Sequence, residues 1–141
     1  MRVRPWLIHW LLGILFPKAF LGTFWPAFGH LFNVVFAPSW IHVIMHTFLY
    51  AVLGILLTHW IKSLSIQSAL IILGLALLVG CFHESLQTLT AGQWPGWSAE
   101  IFDLSVDFVG AAIGLAMARF WARREEQSPS RLPKQFSGLP R

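Results

Sequence analysis

Charge is what this sequence has least of. Only 11% of its 141 residues are Asp, Glu, Lys or Arg, against about 25% in an ordinary soluble domain. With 56% hydrophobic residues beside that deficit, a soluble globular domain is excluded and a lipid environment is implied. Cysteine occurs once, as Cys81 inside an apolar run. No disulfide can therefore form within the chain, and the thiol is expected to act as a small buried hydrophobe. Also missing are a Ser-His-Asp arrangement, a P-loop, a dinucleotide-binding glycine pattern and any complete metal motif. No internal repeat is visible.

The basic residues are few and unevenly placed. Arg2, Arg4, Lys18 and Lys62 precede a cluster that begins at Arg119. The net charge of +4 therefore comes from segments flanking apolar runs rather than from a binding face. Nucleic acid is set aside as a partner on that ground. A helical span needs about 20 residues to cross ~30 Å of hydrocarbon. Four runs meet that need, at about 19–37, 40–61, 67–83 and 101–121. The expected fold is all-α: a four-helix transmembrane bundle in one domain, residues 1–122, with 123–141 as a Pro- and Ser-rich disordered tail. Pro26 should kink the first span. The run Trp6–Phe16 is too short to span and has no small-residue cleavage site before Thr23, so it is expected to be retained and to lie at the interface. Lys62 and the Arg119–Arg124 cluster fall on one side of this arrangement, and the loops near Pro38 and Trp94–Trp97 contain no basic residue. The positive-inside rule then makes both termini cytoplasmic, in an integral multi-pass protein of the plasma membrane. Trp94 and Trp97 are read as interfacial anchors of the outer loop.

Against this apolar background the polar residues form stripes. His42, His46, Tyr50 and Gly54 recur every fourth residue in the second span, which puts them on one helix face. Asp103, Asp107, Gly110 and Gly114 share a face of the fourth. Glu84 and Gln87 share one on the third if that helix continues past Phe82. At ~1.5 Å per residue, His46 and Asp107 each lie roughly 9 Å inside their spans. Three helices thus bring polar groups to one layer in the outer half of the membrane. Ionisable groups at that depth are costly, so they are paired or functional. Gly110 and Gly114 form a small-xxx-small pair that lets another helix approach closely.

These residues also carry a family resemblance. HTFLYAVLG at His46–Gly54, HESLQ at His83–Gln87 and DLSVDFVGAAIG at Asp103–Gly114 resemble segments of the VanZ-like membrane proteins. The similarity covers about residues 40–118. Two positions depart from that pattern: Asp107 stands where the family has Asn, and Trp97 where it has an Arg after the Pro-Gly. Losing that Arg removes an anion partner from the outer loop. The resemblance implies a four-helix membrane architecture, a cell-envelope setting and a link to glycopeptide (teicoplanin-type) tolerance.

The candidate polar site is His46, Tyr50, Glu84, Gln87, Asp103 and Asp107. Two readings of its histidines stay open. His42 and His46 could ligate a metal with Glu84, or with His83 or Asp103; more simply, they hydrogen-bond Asp103, Glu84 or Tyr50. The second reading is preferred, and no cofactor is assigned. Two acids one turn apart in low dielectric are not both charged without a cation nearby. Glu84 and Gln87 suit either a general base with an orienting amide or a helix-end cluster. His30 and Asn33 could add donors from the first span. The preferred function is a binding or accessory protein acting on lipid-linked envelope precursors or glycopeptides. An intramembrane, metal-assisted hydrolase of a lipid headgroup is the alternative, followed by a structural subunit using the Gly110–Gly114 face. Membrane lipid is the implied partner, and a second copy of the chain is a further one.

Overall fold

The computed structural model describes residues 3–15, 27, 39–63, 65–91 and 94–127. Four helices occupy them: α1 Val3–Leu15, α2 Ser39–Ile61, α3 Ile66–Ala91 and α4 Trp97–Gln127. The last three are long and apolar enough to cross a membrane, so the chain is a multi-pass helical membrane protein. The expected span at 19–37, with its Pro26 kink, His30 and Asn33, lies outside the described residues apart from Ala27.

Local chemistry explains the boundaries. Lys62 ends α2 in the left-handed region at φ 56°, and its N–H donates to the Thr58 carbonyl at 3.0 Å, as a helix C-terminus requires. Ser65 caps α3: its hydroxyl oxygen accepts the Ser68 N–H at 3.1 Å, which satisfies one of the donors left open at a helix start. The short turn between makes α2 and α3 antiparallel neighbours. Gly96, at φ 95°, turns the chain into α4, where Glu100 supplies a carboxylate in the first turn, favourable beside the positive helix end.

Two of the helices outrun the spans expected from the sequence. α3 continues eight residues past position 83 to Ala91, which carries Glu84 and Gln87 on the helix rather than in a loop. α4 runs to Gln127, beyond position 123 where the tail was expected to begin; residues 128–141 lie outside the described residues. The N-terminal segment is a helix packed on the bundle. Leu7, Trp10, Leu11 and Ile14 follow the i, i+3, i+4, i+7 spacing of one face, and Leu7 and Ile14 are buried in the core. The Trp10 indole N–H donates to the Leu49 carbonyl at 2.9 Å, well along α2 from its start at Ser39.

The core joins Tyr50, Leu53 and Leu57 of α2 to Ile72 and Ala76 of α3 and to Ala111 and Leu115 of α4. Outside it, Phe48, Leu70, Leu78, Phe82, Phe102, Val109 and Phe120 are exposed. A helix apolar all round belongs among lipid tails. Cys81 is exposed, against the expectation of burial. In lipid the outward face is itself apolar, so a small sulfur side chain needs no protein cover.

α2 and α4 make the closest contact. A methyl on Gly110 would sit 2.5 Å from the Thr47 carbonyl oxygen, and one on Gly54 2.5 Å from that of Ala111. One on Gly114 would overlap the Ala51 carbonyl. Thr47 meets Gly110 and Ala51 meets Gly114, so both helices ascend together in parallel. The glycine face expected to accept another helix is occupied by the chain's own α2. Gly114→Ala should therefore lower the unfolding free energy in detergent by about 1–3 kcal/mol, the usual cost of overpacking. Gly74→Ala, whose methyl meets nothing within 4 Å, should leave it unchanged. Denaturant titration followed by far-UV circular dichroism reads both, and equal losses would contradict the contact.

Candidate functional site

The parallel register of α2 and α4 sets two His–Asp pairs side by side. His42 Nε2–H donates to Asp103 Oδ1 at 3.2 Å. One turn further along both helices, His46 Nδ1–H donates to Asp107 Oδ1 at 2.8 Å. Each pair spans 61 residues of sequence, so the i, i+4 stripe of one helix reads the i, i+4 stripe of the other. The outer pair is partly open, with side chains 38% and 20% exposed. The inner pair is sealed at 6% and 1%.

α3 runs the opposite way and closes the third side. The His83 ring stacks on that of His46 at 5.4 Å between centroids. Glu84 is buried beside it, with Oε1 3.9 Å from His83 Nδ1. The Gln87 amide nitrogen donates to His83 Nε2 at 3.2 Å. Tyr50, one turn beyond His46 on α2, is fully buried. At the rim, the Thr88 hydroxyl donates to Glu100 Oε1 at 3.1 Å and ties α3 to the start of α4.

Gly80 makes room for the deepest part of this layer. A methyl there would lie 3.0 Å from Asp107 Oδ2 and 3.6 Å from the Tyr50 hydroxyl. Both atoms are buried and interact with each other, whereas Glu84 Oε1 is buried with no hydrogen-bond partner among the described residues. Such groups are rare in folded interiors and call for an explanation.

All six candidate residues, His46, Tyr50, Glu84, Gln87, Asp103 and Asp107, thus fall in one layer, in two linked parts. Asp103 belongs to the outer pair with His42; Tyr50, Glu84 and Asp107 lie about His46, and Gln87 joins through His83. Two residues complete the layer: Gly80, which the sequence reading left out, and His83, which it raised only as an alternative metal ligand. Gly80 had a signal, since it lies four residues before Glu84 on the same helix face. The sequence reading offered His42 and His46 as metal ligands with Glu84, His83 or Asp103. His42 is tied to Asp103, and the compact group of buried donors is His46, His83 and Glu84, with one donor atom from each within 4.8 Å of the others. Burial separates the two pairs energetically. A double-mutant cycle on His46 and Asp107 should give a coupling of about 1 kcal/mol or more, and one on His42 and Asp103 about 0.6 kcal/mol or less, the membrane average. Equal couplings would mean that the inner pair is no more enclosed than the outer.

The opposite end of the bundle has the contrary character. Arg119 donates through Nη2 to the Ser65 carbonyl at 2.7 Å, and the Arg124 guanidinium lies 4.3 Å over the Phe120 ring. No protein-family model, curated protein or solved structure matches the chain.

Proposed function

We propose that this is an envelope membrane protein of the VanZ-like kind, whose polar layer faces outward and binds a polar component of the envelope: a lipid-linked precursor or a glycopeptide. The observation that carries the reading is unused hydrogen-bonding capacity. Three helices converge on one layer, yet Glu84 Oε1 remains buried with no hydrogen-bond partner among the described residues, and the Tyr50 hydroxyl and Asp107 Oδ2 have only each other. A purely structural clasp would satisfy its own groups, because each one left open costs about 1–3 kcal/mol. A layer built to take a ligand leaves them for it. The outward orientation rests on charge. Lys62, Arg119, Arg123 and Arg124 gather at one end of the bundle, which the positive-inside rule assigns to the cytoplasm. The His–Asp layer lies toward the other end.

Two experiments test this. In a Cys81→Ser background, an impermeant maleimide added to intact cells should label Trp94→Cys and leave Lys62→Cys unlabelled; the reverse pattern defeats the orientation. In a glycopeptide-sensitive host, expression of the chain should raise tolerance to teicoplanin. His46→Ala, Glu84→Gln and Asp103→Asn should each remove that gain at unchanged membrane abundance. If only Gly110→Leu removed it, the layer would be scaffold and the binding reading would fail.

A further inference from the structure

We infer that His46, His83 and Glu84 form a binding site for a first-row divalent cation of the zinc type. The inference rests on the reading that this layer takes a ligand, and it names the class of that ligand.

The donors come from two helices and are already gathered. One ligand atom from each residue lies within 4.8 Å of the other two, and all three residues are buried. Two imidazoles and one carboxylate are a donor set that suits zinc, and three protein ligands leave one position for an oxygen of water or of a bound molecule. Tetrahedral ligand atoms lie about 3.3 Å apart at zinc–ligand bonds of ~2.0–2.1 Å. The group must therefore contract by about an ångström or so, a distance that side-chain rotation covers without moving a helix.

The surroundings orient each ligand as metal sites require. Asp107 accepts from His46 Nδ1 at 2.8 Å, which directs the other nitrogen, Nε2, to the metal, the familiar carboxylate–histidine–metal order. Gln87 meets His83 at Nε2, which leaves Nδ1 on the side of Glu84, 3.9 Å from Oε1. With a metal on Nδ1, the Gln87 amide turns its oxygen toward Nε2–H; amide oxygen and nitrogen exchange places by a simple flip. A second observation points the same way. Glu84 is 6% exposed, and its Oε1 has no hydrogen-bond partner among the described residues. A buried carboxylate gathered with two imidazoles is what a cation would take up. His42 takes no part, since it is not among the donors gathered within 4.8 Å of one another.

The test is metal content of the purified full chain in detergent, after incubation with zinc and desalting, read by mass spectrometry. Wild type should retain about one zinc per chain, as a closed three-residue site would. His83→Ala and Glu84→Gln should each lower retention at least tenfold, while His42→Ala retains it. Size-exclusion profiles and far-UV circular dichroism check that each variant is folded. Cobalt added to wild type tests the geometry without any substitution, and should give the intense visible bands of a four-coordinate ion. Wild type free of zinc overturns the inference, as does metal kept by the His83→Ala/Glu84→Gln double variant or a weak, six-coordinate cobalt spectrum. If wild type binds no metal while the site variants still abolish teicoplanin tolerance, this inference falls and the binding reading stands. If zinc binds through these residues and no variant changes tolerance, the reverse holds.

Discussion

The close approach of α2 and α4 is the constraint on which the rest of this structure depends. Gly54, Gly110 and Gly114 let the two backbones meet at carbonyl oxygens rather than across side chains. Lipid tails are as apolar as leucine, so water does not drive the helices together as it would in a soluble bundle. Contact then depends on close packing and on polar groups between helices. The glycines supply the first and the His–Asp pairs the second, on the same faces of the same helices. One turn of slip along the glycine stripe would move Asp107 from His46 to His42 and leave the others unpaired. Packing and hydrogen bonding therefore choose the same register.

That register explains why the polar layer is deep on one side and open on the other. α3 packs across the parallel helices from the opposite direction and sets Gly80, His83 and Glu84 mainly against the inner pair. His42 and Asp103 keep part of their surface. The absence of a side chain at Gly80 is what allows Tyr50 and Asp107 to be buried on α3 without a clash. The layer is thus assembled from large polar groups on two helices and a gap on the third.

Much of this was legible before any coordinates. Long uncharged runs marked the spans, and four-residue spacing put His42 with His46 and Asp103 with Asp107. What the spacing could not supply was the pairing between stripes, because Thr47 and Ala51 carry no signal of being the surface that Gly110 and Gly114 seek. His83 stood beside Glu84 in sequence, but neighbours on a helix point about 100° apart, and only one of the two was placed in the site. Both reach the layer because it lies in the angle between them. Cys81 was misjudged by a rule made for water, where small apolar side chains turn inward. The N-terminal helix had its signal in the spacing of Leu7, Trp10, Leu11 and Ile14, outweighed by a length too short to span.

Charge balance ties the inner layer to a ligand more tightly than its hydrogen bonds do. Asp103, Asp107 and Glu84 bring three carboxyl groups to a region with no lysine or arginine among the described residues. Lys62, just past α2, is sixteen residues from His46, and Arg119 on α4 is twelve from Asp107, so about 24 and 18 Å along the axes. At those distances no ion pair forms. The carboxyl groups must be neutralised on the spot, by protons, by imidazolium or by a cation. Protonated carboxyls would carry hydroxyls that need acceptors, and beside Glu84 Oε1 the nearest is His83 Nδ1 at 3.9 Å, beyond hydrogen-bond reach. Two histidines can offset part of the charge but not bond the inward oxygens. A divalent cation between His46, His83 and Glu84 offsets two of the three charges and gives an orphaned oxygen its partner, leaving His42 to pair with Asp103.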